Sequence, residues 1–282
     1  MKNRYSCADY GWPSLQHRTV MAVASDLGYS GIDIGIFEEV THTKVSDLKH
    51  WREKSARINR DLNNLGLQCA DVFLVPSVDL SCLTASHPDP QMQSEAIRIF
   101  EIAALFARRL KAPGLTICPG VVHEGDTHQQ ALLRTSKALR ARVEIASFNG
   151  LELSVEPHWG SLIDTAERVG DLLDAVDGLS LTLDVSMMFF CGMSVEEIAS
   201  FASRTRHIQF RPGSRDKVQV RLKHNQIDFA PILSALDQAS YQGWLGTEYV
   251  WMEKWGCDQI DVTEESRQLL KSLKGEDLPS ML

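Results

Sequence analysis

Strand-like and helix-like segments alternate along the whole chain. Two stretches show the helical pattern most clearly, because their apolar residues step by three and four positions: residues 99–110, which stop before Pro113, and residues 132–146, which precede Gly150. Each leads into a short apolar run of the kind that forms a buried strand. The predicted strands are residues 4–8, 31–36, 67–74, 115–118, 151–156, 179–184, 207–210 and 245–249.

This alternation predicts an α/β fold built from βα units. Eight such units in about 270 residues favour a single (β/α)8 TIM barrel, with a doubly wound open sheet as the alternative. No linker-like segment or shift in composition divides the chain, so we expect residues 1–282 to form one domain. In a barrel of this kind the active site lies at the carboxyl ends of the strands.

Charge and composition exclude several classes of partner. The chain has 29 Lys and Arg against 37 Asp and Glu, a formal net charge of −8, which disfavours binding to nucleic acid or to anionic lipid. No apolar run reaches the 18 residues of a membrane span, and no secretory signal is recognisable. The six cysteines form no CxxC pair, so we expect reduced thiols and a cytoplasmic protein.

Four consecutive predicted strands end in an oxygen-bearing side chain: Glu156, Asp184, Gln209 and Glu248. Three carboxylates that meet at one rim repel each other unless a cation neutralises them. Oxygen ligands favour a hard divalent ion, so we expect Mn²⁺, with Mg²⁺ or another ion still open. The alternative is that each residue caps a strand end or a helix.

At these residues the sequence resembles the xylose isomerase-like barrels, the family of sugar phosphate isomerases and epimerases. The motifs are VEPH at 155–158, LTLD at 181–184, HIQ at 207–209, IDFAPIL at 227–233 and TEYVW at 247–251, and the resemblance covers most of the chain. It implies that a metal ion is held by a Glu, an Asp, a His and a Glu from successive strands. By position these correspond to Glu156, Asp184, Gln209 and Glu248.

Two positions depart from the family pattern. Gln209 stands where the family often has the His ligand, and His207 lies two residues earlier on the same face of the strand, so either residue is a candidate ligand. Met187 stands where the family often has a second His, three residues after Asp184. Functions that need that His are therefore in doubt.

The candidate catalytic residues are His158, Glu156 and Glu248. His158 follows Glu156 by two positions, and an imidazole with a pKa of about 6.5 can accept or donate a proton at neutral pH. The alternative is that His158 only orients Glu156 or caps the next helix.

Four residues are candidates for substrate binding. Arg211 and Arg215 lie in the RPGSR loop and resemble the family's Arg that binds substrate oxygens, the alternative being solvated surface arginines. His123 follows the fourth strand and Trp12 follows the first, where an indole can form an apolar wall. Trp251 and Trp255 follow the last strand, where they would form either a pocket wall or a subunit contact.

These features predict a metal-dependent isomerase or epimerase that removes a proton from the carbon next to the metal-polarised carbonyl of a sugar or similar substrate. One alternative is a lyase that cleaves 3-oxo-glycosides, including C-glycosides, by β-elimination. A second is a non-catalytic ligand-binding barrel. The pattern leaves open whether the chain forms homo-oligomers or hetero-oligomers.

Overall fold

The protein is described here by a computed structural model, which covers residues 4–39 and 41–276. Eight parallel strands form a closed barrel in which each strand pairs with the next and β1 pairs with β8, so the predicted TIM barrel is confirmed. The strands are β1 Arg4–Ala8, β2 Gly31–Phe37, β3 Gln68–Val75, β4 Gly114–Ile117, β5 Glu152–Val155, β6 Ser180–Asp184, β7 Thr205–Phe210 and β8 Trp244–Thr247.

Helices surround the barrel and follow the strands in chain order. The α-helices are α1 His17–Leu27, α2 Trp51–Leu65, α3 Pro90–Leu110, α4 His128–Phe148, α5 Ala166–Ala175, α6 Val185–Phe190, α7 Val195–Ser200, α8 Ala230–Gln238 and α9 Val262–Lys274. Short 3₁₀ helices span Asp9–Gly11, Val45–His50, Ala202–Arg204, Leu222–His224 and Glu253–Trp255.

Local sequence signals explain the ends of the two longest helices. Helix α3 begins with Pro90 after Asp89, whose side chain accepts a hydrogen bond from the backbone of the first turn. Helix α4 begins with a capping box between Thr127 and Gln130. It ends just before Gly150, which has a φ of +71°, a conformation that costs glycine little.

The apolar core lies between the barrel and its helices, whereas part of the barrel interior is polar. Asp71, Thr116, Ser154 and Thr182 are buried side chains of β3 to β6 that share hydrogen bonds, including one of 2.6 Å between the Ser154 and Thr182 hydroxyls. Arg206 closes this group by donating to Asp71 at 2.7 Å. Ser154 and Thr182 each stand two residues before a rim carboxylate, so this polar layer lies beneath the rim.

All six cysteines are free, in agreement with the expectation of thiols. Within residues 4–39 and 41–276, no helix is long and apolar enough to cross a bilayer.

Candidate active site

The strands β5 to β8 bring the four predicted ligand residues to one rim of the barrel. Asp184 and Gln209 are register partners on β6 and β7, while Glu156 and Glu248 directly follow β5 and β8. All four side chains are buried, with exposed fractions between 0% and 3%. These residues therefore form a rim whose charges are largely withdrawn from water.

Arg211 joins two of the carboxylates. Its guanidinium contacts the Oδ2 atom of Asp184, and its Nη1 atom lies 3.1 Å from the Oε2 atom of Glu248. The Nε–H group donates to the hydroxyl of Ser186 at 2.7 Å. The predicted substrate-binding arginine is thus held inside the cluster of rim carboxylates.

Asp184 also caps the helix that follows it. Its Oδ1 atom accepts hydrogen bonds of 3.0 Å from the backbone N–H groups of Ser186 and Met187 and from the Ser186 hydroxyl. The helix-capping alternative from the sequence therefore applies to Asp184, whereas its role as a metal ligand stays a prediction. One oxygen caps α6, and the other faces Arg211.

Glu248 is held by a residue that the sequence did not single out. The Tyr10 hydroxyl donates to the Oε1 atom of Glu248 at 2.5 Å, and the Gln209 amide donates to the Tyr10 oxygen at 3.2 Å. Tyr10 fits here because Gly35 has no side chain, and a Cβ atom at that position would lie 2.6 Å from the Tyr10 ring. Its position directly after β1 was the only signal that placed it at the rim.

The imidazole of His158 lies beside Glu156, with 3.5 Å between its Nε2 atom and the Glu156 Oε1 atom. Burial lowers the pKa of His158 to about 4, although the nearby Asp184 carboxylate raises it. At neutral pH the imidazole is therefore uncharged and has a lone pair that can accept a proton.

Burial raises the pKa values of both Glu156 and Glu248, because their charged forms lose hydration. Repulsion from Asp184 raises both further, while Arg211 lowers both. One guanidinium contacts two of the three carboxylates, so the rim favours either a bound proton or an additional cation.

The donor chemistry of the rim fits such a cation. The Oε2 atom of Glu156 and the Oε1 atom of Gln209 are buried and accept no hydrogen bond in the described part of the chain. Arg211 contacts one oxygen of each of the other two carboxylates, and their second oxygens accept hydrogen bonds from α6 and from Tyr10. With the side chains in these positions, the described residues contain no group of three or more His, Cys, Asp or Glu that could hold a metal ion. A cation bound by all four residues therefore requires Arg211 to release Asp184 and Glu248.

His207 lies deeper in the barrel than Gln209 and has a different partner. Its Nε2 atom lies 3.0 Å from the Asp33 carboxylate, which raises the pKa of the imidazole above its ordinary value even though burial alone lowers it. The pairs His207–Asp33 and Arg206–Asp71 were missed in the sequence. An acidic residue in the middle of an apolar strand, as in GIDIGIF and CADVFLV, could have indicated that each strand has a buried ion pair.

Arg215 and Trp12, two of the predicted substrate-binding residues, have protein partners outside the carboxylate rim. The Arg215 guanidinium donates to the Phe189 and Met193 carbonyls and lies 3.6 Å from the Phe189 ring centroid. The Trp12 side chain packs in the main core, and its indole N–H donates to Thr263 at 2.9 Å. Trp12 therefore packs as a core residue with a satisfied indole N–H group.

His123 lies beside the loop that follows β3. Its Nε2 atom is 3.4 Å from the Ser86 hydroxyl, and its ring is 4.8 Å from that of His87. No rim residue is among these contacts. Roles for His123, Trp12 and Arg215 in substrate binding remain predictions.

Comparisons with known proteins agree with this architecture. An inosose dehydratase from Clostridium perfringens is 24% identical over 126 residues, a match that spans 37% of this chain and 42% of that protein. A D-psicose 3-epimerase from Clostridium cellulolyticum H10, solved with D-tagatose, superposes with a TM-score of 0.77 at 16% identity, covering 96% of this chain and 98% of that one.

A probable 3-DHS dehydratase from Bacillus anthracis, involved in petrobactin synthesis, has a TM-score of 0.75 at 16% identity and covers 97% of this chain and 100% of its own. At these identities the two solved structures demonstrate a shared fold. The family model for the xylose isomerase-like TIM barrel matches residues 21–273. The chain therefore belongs to the xylose isomerase-like TIM barrel family.

Proposed function

We propose that this protein is a divalent-metal-dependent enzyme of the isomerase or epimerase type, acting on a sugar or a related polyhydroxy carbonyl compound. Glu156, Asp184, Gln209 and Glu248 would hold the ion, with Mn²⁺ as the expected metal. Bound there, the ion would polarise a substrate carbonyl and stabilise the negative charge that develops on loss of a neighbouring proton.

The observation that carries this proposal is the imbalance of charge at the rim. Three buried carboxylates have one guanidinium among them, and two buried oxygens, on Glu156 and Gln209, accept no hydrogen bond in the described chain. A purely structural cluster would be expected to satisfy these atoms. Oxygen atoms left free in this way suit a hard cation or the hydroxyl groups of a substrate.

The proton transfers would be performed by Glu156, Glu248 and His158. The Glu156 carboxylate can accept a proton from a substrate carbon placed beside its free Oε2 atom, and the uncharged imidazole of His158, 3.5 Å from Oε1, would act as a separate acid–base group. Tyr10 would orient Glu248 at the end of β8. Two acid–base groups on different strands suit a reaction that removes a proton at one face and returns one at another.

A dehydratase or glycoside lyase is the second candidate. In this reaction a carboxylate takes the proton next to the carbonyl, the electron pair forms a C=C bond, and the β-substituent leaves with its bonding pair and receives a proton. The similarity to an inosose dehydratase and to a probable 3-DHS dehydratase supports it. Both candidates begin with the same proton abstraction.

The test is solvent exchange in D₂O, followed by NMR, with D-psicose, D-tagatose, D-fructose and a set of 3-oxo-glycosides. We expect deuterium at the carbon next to the carbonyl with Mn²⁺ present, and loss of that exchange in Glu156→Gln. Recovery of a labelled epimer or isomer supports the first candidate, and release of the β-substituent supports the second. Absence of exchange in every substrate, with metal bound, would favour the non-catalytic barrel.

A further inference from the structure

Three aromatic side chains pack together in the segments that follow β5, β6 and β8: Trp159, Phe190 and Trp255. Their ring centroids lie 6.1 to 6.4 Å apart, and each pair is arranged edge to face. This is the favourable geometry for aromatic pairs. The three residues are called the aromatic cluster below.

Each member of the aromatic cluster follows a strand whose end carries a carboxylate. Trp159 comes three residues after Glu156, and Phe190 is the last residue of the helix that Asp184 caps. Trp255 lies in the short helix that follows β8 and Glu248. The loops that position the polar rim therefore also position these rings on the same face of the barrel.

An apolar surface connects the aromatic cluster to the polar rim. Phe190 and Trp255 pack against a buried group formed by Met187, Val218 and Cys257. Within it, the backbone N–H of Met187 donates to Asp184. Met187 therefore joins the rim to this apolar group.

Trp159 exposes 60% of its surface, although it belongs to this cluster. It directly follows His158, whose imidazole contacts Glu156. The exposed indole therefore lies in the same loop as the imidazole beside Glu156. Exposed apolar surface that borders a polar site is typical of a ligand-binding groove.

We propose that the aromatic cluster is a subsite for a planar apolar group of the substrate. This inference rests on the proposed function and specifies its substrate class: a sugar-like carbonyl compound that carries an aromatic substituent, such as an aryl glycoside. The polar part binds at the rim, and the aromatic part stacks on Trp159. A second protein copy is a poorer occupant, because three side chains fall far short of the roughly 800 Å² per partner that a stable interface buries.

The experiment uses phenyl β-D-glucopyranoside as the probe and the full chain with Mn²⁺. Saturation-transfer NMR measures how strongly each probe proton contacts the protein. We expect the aromatic protons to receive more saturation than the sugar protons, and the probe Kd to rise about fivefold in Trp159→Ala. Trp51→Ala, at the start of α2 and outside the aromatic cluster, is the matched control and should leave the Kd unchanged.

The inference would be overturned by absence of transfer to the aromatic protons of the wild type, or by equal Kd values in Trp159→Ala and wild type. A change of oligomeric state in Trp159→Ala, measured by light scattering, would assign the aromatic cluster to a partner copy and also overturn it. Phenyl β-D-glucopyranoside has no carbonyl group, so deuterium exchange is measured in parallel on the ketoses and 3-oxo-glycosides, and Glu156→Gln should keep the aromatic contact with the probe while losing exchange on those substrates. Probe binding by a wild type that exchanges none of those substrates would support the subsite and contradict the proposed function.

Discussion

The Nη1 atom of Arg211 lies 3.1 Å from the Oε2 atom of Glu248, and the same guanidinium contacts Asp184. The side chain of Arg211 is 3% exposed, so these charges interact with little screening by water. Arg211 is thus the resident cation of the rim. A metal ion that uses Asp184 and Glu248 competes with it for the same oxygens.

Arg211→Met should destabilise the metal-free protein by about 3 kcal/mol or more, because it removes the positive charge paired with two buried carboxylates. Added Mn²⁺ should then raise the melting temperature more in this variant than in the wild type. Scanning calorimetry with EDTA or with Mn²⁺ measures both effects. Arg204→Met is the control, since Arg204 pairs with Asp174 in a mostly exposed ion pair of small energetic value. Equal Mn²⁺-induced shifts in wild type and Arg211→Met would contradict competition between Arg211 and the metal.

Removal of metal by a chelator should abolish activity and lower the melting temperature, because the repulsion among the rim carboxylates returns. Glu156→Gln, Asp184→Asn and Glu248→Gln should each weaken Mn²⁺ binding by on the order of tenfold or more, as measured by calorimetric titration. Cys7→Ser, away from the rim, should bind Mn²⁺ like the wild type. Undiminished turnover by protein shown to be free of metal would rule out the metal-dependent proposal.

The amount of metal bound per chain in variants distinguishes Gln209 from His207 as the third protein ligand. Gln209 has a free amide oxygen beside Glu248, so Gln209→Ala should lose metal, whereas Gln209→His should keep a metal and shift the preference towards Zn²⁺ or Co²⁺. His207→Ala should keep the metal but lose about 1–3 kcal/mol of stability, because Asp33 is left buried without its partner. The opposite pattern of metal content would identify His207 as the ligand.

His158→Ala should slow the reaction by roughly 10², the scale expected for loss of a positioned acid–base group, while the metal stays bound. Rates of deuterium exchange and elemental analysis of the same preparation provide both values. Loss of the metal would instead indicate that His158 supports the ligand Glu156. Unchanged turnover would assign the proton transfers to Glu156 and Glu248.

Protonation of His42, a residue outside the candidate site, should lower the free energy of unfolding at acid pH. Burial lowers the pKa of His42, whose ring stacks on His17 at 4.7 Å, although Asp9 opposes the shift. The unfolded chain therefore takes up a proton below a pH of about 6.5 that the folded protein excludes until lower pH. His42→Gln should lose less stability than the wild type between pH 7.5 and pH 5.5 in urea unfolding. Exposed His224→Gln should follow the wild-type profile, and identical profiles for all three proteins would remove His42 as the cause.

The sequence was sufficient for the architecture and for the position of the rim. All eight strands lie within about two residues of their predicted bounds, because each buried strand is a short apolar run between helical patterns. A parallel barrel places the carboxyl ends of its strands on one face, so Glu156, Asp184, Gln209 and Glu248 could be assigned to one rim from chain order alone.

The tertiary structure decided which charges meet. Closure of the barrel pairs β1 with β8 and brings Tyr10 to Glu248, 238 residues away, and it brings His207 to Asp33 across 174 residues. The Arg211 side chain turns inward to the carboxylates, whereas Arg215, four residues later, turns to the backbone after β6. Hydrophobic periodicity is a local property of the chain, but the partner of a buried charge depends on barrel closure and on side-chain rotamers. Sequence patterns carry little information about either.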